Sequence, residues 1–245
     1  MKKFYDLHLS VPLDNSDLTE KMIRKAKTLG YAGLGVSFSP SVLGETLSRL
    51  RQLCKYVDID LVTRVDLEPN SSKELLLQLR RCRRRFELIS IACWHKPVAR
   101  QAAKDRRVDL IYFSSLDFRR RFFDSAEAEL SANALAALEI DMSPLLLTTS
   151  YERIRLLSYL RREVALAKKF SIPVILSSGV SSEFFMRGPR DLAALAYLFD
   201  VPSDVALKYL SENPLKIVTR NRTKLSSTYI APGLRVIRTG ENCVE

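Results

Sequence analysis

The 245-residue sequence is short of the residues that metal and cofactor sites need most often. It contains two histidines, His8 and His95, and only eight glycines. Two imidazoles are too few for the clusters of histidines and carboxylates that hold two or three metal ions in phosphoesterases. No GxGxxG motif or phosphate-binding P-loop follows the first apolar run, which disfavours a nucleotide-binding open sheet.

Cysteines and long apolar runs are also scarce. The four cysteines are far apart and include no CxxC pair, so neither a zinc knuckle nor a disulfide framework is indicated. No apolar run approaches the roughly 20 residues that span a bilayer. The amino terminus enters a polar stretch by Asp14, where a signal peptide would have its apolar core. We therefore expect a cytoplasmic protein with reduced thiols and no membrane contact.

Positive charge is in excess. Lys and Arg number 39 against 28 Asp and Glu, which gives a formal net charge of +11. A surplus of this size attracts polyanions, and nucleic acid is the partner class that it favours. The hydrophobic content of 47% is ample for a large core. The composition thus predicts a folded, basic protein that binds RNA or DNA.

Seven apolar runs have the length and composition of buried strands. They lie at 4–11, 31–38, 59–67, 86–92, 108–113, 136–142 and 172–176. Their starts recur roughly every 22 to 36 residues, which is the span of a βα unit. Successive units without a long polar linker favour a closed α/β architecture, a TIM-like (β/α) barrel with about seven clear strands in one domain over 1–245. A doubly wound open sheet is the alternative.

Helical patterns lie between several of these runs. We expect the first helix to be capped by Asp17, with Glu20 three residues on, and to stop at Gly30. Further helices are predicted to begin at Ser72 and Ser150, and two more to cover 189–199 and 203–210.

Polar residues at the carboxyl ends of barrel strands face a common site. The candidates here are Asp6, His8, Arg64, Asp66, His95, Glu139, Asp141, Ser177 and Ser178. Ser10 stands where an HxH pair would place a second imidazole beside His8. A metal-dependent phosphoesterase using Asp6, His8, His95 and Glu139 is one alternative function. A small-molecule barrel enzyme such as an aldolase is another, but no predicted strand ends in the lysine that it needs.

Arginine clusters favour nucleic acid more than lysines alone would. Arg80, Arg81, Arg83, Arg84 and Arg85 close a helical pattern, and Arg119-Arg120-Arg121 precede two phenylalanines. A guanidinium meets phosphate oxygens with a planar fork and also stacks on bases. We therefore predict RNA contacts from Arg84, Arg119 and Arg120, and from His95 next to Trp94, with solvated helix faces as the alternative for part of this set.

Four segments of the chain form a specific set: YDL at 5–7, VARQAA at 98–103 followed by RVDL at 107–110, SSGV at 177–180, and MRGPRDLAAL at 186–195. Together they resemble the archaeal ribonuclease P protein component 3 family, which is homologous to the thirty-kilodalton subunit of the eukaryotic enzyme. Asn213-Pro214 and NRTK at 221–224 resemble its C-terminal pattern. The family more often has SSGA in the third segment, and an asparagine where this chain has Ala99.

The resemblance implies a TIM-like barrel related to the polymerase and histidinol phosphatase superfamily, with most metal ligands lost and Asp6 and His8 as vestiges. It implies a protein subunit of ribonuclease P, the ribonucleoprotein that cleaves 5′ leaders from precursor tRNA. The catalytic Mg²⁺ ions would then belong to the RNA, and the protein itself would hold no cofactor. The implied partners are that RNA, ribonuclease P protein component 2 and the other protein subunits.

A basic protein can help an RNA catalyst by neutralising phosphates that repel one another when helices pack. We expect such contacts from Arg100, Arg107, Arg187 and Arg190, which lie in or beside the matched segments. Ser177, Ser178 and Gly179 are predicted to bind phosphate through free backbone N–H groups. The alternatives are a glycine-dependent turn that closes the barrel and, for Arg190, a local ion pair with its neighbour Asp191.

Overall fold

Seven parallel strands form the centre of the molecule in a computed structural model that describes residues 2–42, 44–114, 116–231 and 234–236, with the side chains of Phe118 and Arg235 excepted. The strands are β1 (Phe4–Leu9), β2 (Tyr31–Phe38), β3 (Asp60–Leu67), β4 (Leu88–Ala92), β5 (Leu110–Tyr112), β6 (Ala137–Asp141) and β7 (Val174–Ser177). Each strand pairs with the next one along the chain. All seven predicted strands are confirmed.

Helices follow the strands and cover the outside of the sheet. They are α1 (Ser16–Thr28), α2 (Gly44–Val57), α3 (Ser72–Cys82), α4 (Lys96–Lys104), α5 (Ser125–Ala134), α6 (Ser143–Leu147), α7 (Ser150–Lys169), α8 (Pro189–Ala196), α9 (Ser203–Tyr209) and α10 (Glu212–Leu225). Short 3₁₀ turns occur at Phe118–Arg120, Glu183–Phe185 and Tyr197–Phe199, and a hairpin of β8 (Tyr229–Ala231) and β9 (Leu234–Arg235) follows α10.

The sheet curls until its first and last strands meet. Leu9 forms an isolated parallel bridge with Val180 just beyond β7. The backbone N–H of Gly179 donates to the carbonyl of His8 at 3.0 Å, and the N–H of Ser10 donates to the carbonyl of Val180 at 3.0 Å. The result is a nearly closed barrel of seven parallel strands, which confirms the predicted fold class.

The first helix begins two residues earlier than the sequence pattern predicts. Asn15 caps α1, because its side-chain oxygen accepts from the N–H of Leu18, and Asp17 lies in the first turn instead. Gly30 follows the helix with φ +95°, as predicted. Helix α3 begins at Ser72, with Ser71 as its cap, and α7 begins at Ser150, both as predicted.

The barrel interior changes from apolar to polar along the strands. The layers towards the amino ends of the strands contain Tyr5, Leu7, Val62, Leu88, Leu110, Ala137 and Ile175, joined by Ile217 and Val218 of α10. Strand β2 contributes glycine here: a Cβ on Gly33 would come within 2.2 Å of the Tyr5 ring. Because strand side chains alternate, the next inward positions of β3 and β6 are Arg64 and Glu139. Both of these charged side chains are fully buried.

The described cysteines, Cys54, Cys82 and Cys93, are free and buried. Burial raises the pKa of the Cys54 thiol to about 12, so this thiol stays protonated at neutral pH. Cys243 lies outside the described residues. None of the helices in the described ranges is both long and apolar enough to cross a membrane.

Candidate functional site

An ion-pair network centred on Arg64 fills the carboxyl end of the barrel. Arg64 Nη1 donates to Glu139 Oε1 at 2.5 Å, and Nη2 donates to Glu139 Oε2 at 2.7 Å. The same guanidinium donates to Asp66 Oδ1 at 2.6 Å and to Ser90 Oγ at 3.1 Å. Ser177 completes the set by donating to Glu139 Oε1 at 2.6 Å. The inward polar residues of four strands thus satisfy one another.

The charges in this network fix each other's protonation states. Burial opposes the charge on Arg64, but Asp66 and Glu139 outweigh it and raise the pKa of Arg64 well above its usual value. Burial also acts to raise the pKa of Asp66, whereas Arg64 and His8 lower it to about 2. Arg64 and Asp66 are therefore both charged near neutral pH.

His8 is held between two carboxylates at the same end of the barrel. Its Nδ1 lies 2.8 Å from Asp141 Oδ1, and its Nε2 lies 3.8 Å from Asp66 Oδ2. Burial and the nearby Arg64 disfavour the charged imidazole, but the two carboxylates prevail and raise the pKa of His8 to about 9. At neutral pH His8 is an imidazolium, which is a poor metal ligand because ligation needs the neutral ring.

These residues do not fit a metal ion, although in the described part of the chain the ligand atoms of His8, Glu139 and Asp141 lie within 4.8 Å of one another. Both Glu139 oxygens already accept from Arg64, and the imidazole is paired with Asp141. The guanidinium of Arg64 already provides these carboxylates with the positive charge that a metal ion would otherwise supply. A metal would have to displace a buried guanidinium, which would then be left unpaired at large cost.

The residues of the predicted phosphoesterase site are only partly brought together. Asp6 is buried, and one of its carboxylate oxygens accepts the backbone N–H groups of His8 and Ser178. Burial raises the pKa of Asp6 despite these bonds. His95 is exposed at the start of α4, away from the buried network. The geometry therefore gives no support to a four-residue metal site.

The loop at Ser177, Ser178 and Gly179 closes the barrel. The N–H of Ser178 donates to Asp6 at 2.9 Å, and the N–H of Gly179 donates to the carbonyl of His8. The predicted mechanism of phosphate binding through free N–H groups does not hold for these two residues, because both groups are already bonded. Gly179 has φ +62°, which favours the alternative of a glycine-dependent closing turn.

The four arginines predicted from the matched segments differ in their pairing. Arg100 pairs with Glu127 at 2.9 Å and with Asp124 at 2.6 Å. Arg107 pairs with Asp105 at 2.6 Å, and Arg187 donates to two backbone carbonyls. Arg190 is exposed at the first turn of α8 and has no ion pair among the described residues, whereas Asp191 accepts the N–H of Gly188 instead.

Contacts of these arginines with RNA stay a prediction. Arg100 and Arg107 are paired with carboxylates. They therefore have less uncompensated positive charge for binding phosphate than Arg190 has. Arg84, Arg119, Arg120 and His95 are exposed, as an RNA contact requires. Their neighbour Arg121, by contrast, is buried and pairs with Glu163 at 2.6 Å, and Phe123 lies in the core.

The sequence analysis missed a second ion-pair cluster, at the amino end of the barrel. Arg222 of α10 pairs with Asp60 at 2.9 Å and with Glu87 at 2.6 Å. Arg220 pairs with Asp109 at 2.9 Å, and Asn221 donates to the carbonyl of Glu87. These bonds fix α10 across the strand starts. The one available signal was the NRTK segment, which matches the family pattern without revealing what its residues contact.

Comparisons with known proteins identify the family. The model of the RNase P subunit p30 family matches residues 3–226, and the chain belongs to that family. A ribonuclease P protein component 3 of Methanococcoides burtonii is 27% identical over 235 residues, covering 96% of this chain and 94% of the relative. A component 3 of Archaeoglobus fulgidus is 33% identical over 133 residues, covering 54% of this chain and 64% of the relative.

Solved structures agree with the fold. A chain of an archaeal ribonuclease P determined with mature tRNA superposes with a TM-score of 0.84 at 23% identity, covering 96% of this chain and 99% of that one. A putative prolidase from Bifidobacterium longum superposes with a TM-score of 0.52 at 13% identity, covering 90% of this chain and 70% of that one. The chain thus shares its overall fold with these proteins.

Proposed function

We propose that this chain is a protein subunit of ribonuclease P, and that it supports a catalytic RNA in removing 5′ leaders from precursor tRNA. Membership of the RNase P subunit p30 family is the observation that carries the proposal. The relatives with near-complete coverage bear the name of a ribonuclease P component, and one structural neighbour is a chain of that complex with tRNA.

The geometry of the barrel supports a non-catalytic role for the protein. An enzyme of this fold holds its reactive groups at the carboxyl ends of the strands, but here Arg64 and His8 engage the carboxylates of Glu139, Asp66 and Asp141 at that end. We therefore assign the catalytic Mg²⁺ ions to the RNA and none to this chain. The net charge of +11 suits phosphate neutralisation around a folded RNA.

We further propose that the chain pairs with ribonuclease P protein component 2 and works in the cytoplasm. The buried free thiols of Cys54, Cys82 and Cys93 suit a reducing compartment. Both statements follow from the family and from general chemistry.

Cleavage of precursor tRNA by the cognate RNA at limiting magnesium tests the proposal. The RNA is assayed alone, with component 2, and with component 2 plus this chain. We expect the pair to restore cleavage and the RNA-free proteins to show none. Unchanged RNA activity in the presence of the pair, or hydrolysis by the RNA-free chain, would show that the proposal is wrong.

A further inference from the structure

A cationic groove lies at the amino end of the barrel. The turn after α3, the turn before β5, the end of α10 and strand β8 surround a depression of about 560 Å³. Its lining comprises Arg83, Arg84, Arg106, Arg107, Lys224, Leu225, Ser226, Tyr229 and Ile230. No acidic side chain belongs to this lining in the part of the chain that the structure describes.

Three of the five cations in the groove are not neutralised. Arg83 pairs with Asp109, and Arg107 pairs with Asp105. The other three are exposed and form no ion pair with any described residue: Arg84, Arg106 and Lys224.

The nearest carboxylates are already engaged by other arginines. Asp60 and Glu87 face Arg222, while Asp109 accepts from both Arg83 and Arg220. Partial burial and the neighbouring Arg220 lower the pKa of Lys224. The cations of the groove therefore repel one another, and a bound anion would relieve that repulsion.

A row of cations on α10 continues beyond the groove, although the middle one, Arg220, is paired with Asp109. Lys216, Arg220 and Lys224 recur at intervals of four residues, which places them on one face of the helix. At 1.5 Å per residue they follow about 12 Å of the helix axis. Lys216 and Arg220 also line a second depression of about 400 Å³, together with Lys168. The positive surface is thus elongated, as a strand of nucleic acid requires.

We infer that this amino-end surface, consisting of the groove and the α10 face, binds the phosphate backbone of an RNA strand. The inference rests on the proposed function and assigns it to one face of the molecule. Guanidinium forks match phosphate oxygens, and the half-buried ring of Tyr229 beside them offers a base a surface for stacking. Five of the nine lining residues are cations, whereas charged residues are depleted at the centre of protein–protein interfaces.

This assignment reverses the usual use of the barrel. Barrel enzymes bind their ligands at the carboxyl ends of the strands, and the amino ends serve stability. Here the cations of the carboxyl-end network, Arg64 and His8, are paired with carboxylates, while Arg84, Arg106 and Lys224 of the amino-end groove form no ion pair with any described residue. The RNA contact would therefore lie at the end of the barrel opposite to the Arg64 network.

Two triple variants that lose the same charge test the inference. The groove variant carries Arg84→Gln, Arg106→Gln and Lys224→Gln. The control carries Arg49→Gln, Arg51→Gln and Lys55→Gln on the exposed face of α2, and it too loses two arginines and one lysine. Circular dichroism confirms that both fold. Affinity for fluorescent cognate ribonuclease P RNA is then measured between roughly 50 and 300 mM salt, a range over which phosphate contacts weaken strongly.

We expect the groove variant to bind the RNA at least about 10-fold more weakly near 150 mM salt and to lose about 2 to 3 from the slope of log affinity against log salt. The control should change affinity less than about 3-fold. Equal losses in the two variants would mean that only net charge matters and would overturn the inference. An unchanged groove variant would overturn it as well.

The cleavage assay with the complete set of subunits separates this inference from the proposed function. If the unmodified chain stimulates cleavage and the groove variant does so with the same KM and salt dependence, the inference fails while the proposed function stands. If the unmodified chain does not stimulate cleavage, the proposed function fails, and the binding comparison still decides whether the groove contacts RNA. Loss of component 2 binding with intact RNA binding would assign the groove to a protein partner instead.

Discussion

The two ends of the barrel use charge in opposite ways. At the carboxyl end, Arg64 and His8 are matched by Glu139, Asp66 and Asp141 within a buried network. At the amino end, matched pairs fix α10 across the strand starts, but additional exposed cations surround a groove whose lining, among the described residues, includes no acidic side chain. Net charge alone could not distinguish these ends. The Arg64 network differs from the groove because each of its cations has a carboxylate partner, whereas three of the five groove cations have none among the described residues.

Removal of Arg64 should have the largest effect on stability. Arg64→Met leaves the buried Glu139 and the partly buried Asp66 without this cation, and we expect the free energy of unfolding to fall by about 3 to 5 kcal/mol. Urea denaturation monitored by circular dichroism measures the change. Combining Arg64→Met with Glu139→Gln should recover part of the loss, because one uncompensated charge is removed. A loss below about 1 kcal/mol in the single variant would contradict the view that this network fixes the carboxyl end.

Titration of His8 should make stability depend on pH. Because folding raises its pKa from 6.5 to about 9, its contribution is complete below pH 6.5 and is lost as the pH rises through about 9. The change is at most about 3 kcal/mol. Urea denaturation across this range should show the decline, and His8→Asn should remove it. His95→Gln replaces the other histidine of the sequence, so this control should keep the wild-type profile; the same decline in His8→Asn would exclude His8 as its cause.

The closing turn at Gly179 should tolerate a side chain less well than the turn at Gly30 does. A Cβ at Gly179 would lie 2.8 Å from Asp141 Cβ, whereas a Cβ at Gly30 would meet no atom within 4 Å. Both glycines have positive φ, so either alanine carries a backbone cost of about 1 kcal/mol. We expect Gly179→Ala to lose about 1 to 2 kcal/mol more than Gly30→Ala in thermal or urea unfolding. Equal losses would mean that the contact with Asp141 relaxes freely.

Exposed cations of the amino-end groove should matter least for stability. Arg84→Gln and Arg106→Gln break no ion pair among the described residues, and we expect each to change the free energy of unfolding by no more than about 0.5 kcal/mol. The same urea assay that reports on Arg64 measures them. A destabilisation above about 1 kcal/mol would show that these side chains have structural partners, and the contrast between the two ends would weaken.

Strands could be predicted from the sequence more readily than helix boundaries or pairings. Strands buried on both faces read as continuous apolar runs, and all seven were found. The start of α1 was misplaced because Asn15 and Asp17 are both good capping residues, and only the backbone shows that Asn15 accepts the hydrogen bond.

The site could be predicted only as a set of residue types. Arg64 and Glu139 were both recognised as strand-end residues, but they are 75 positions apart, and only the barrel register shows that they form a bidentate pair. Arg100 likewise appeared free in the sequence, because its acid partners belong to α5 and its N-cap. The sequence gives the excess of positive charge, but only the three-dimensional structure shows which cations have no carboxylate partner.

The position of α10 has a consequence for how the chain folds. Ile217 and Val218 complete an interior layer that begins with Tyr5, so one cooperative unit joins the start of the barrel to residues more than 200 positions later. During synthesis the barrel cannot bury this layer until α10 has left the ribosome. Such long sequence separation slows folding, and the nascent barrel would expose an apolar opening that chaperones recognise.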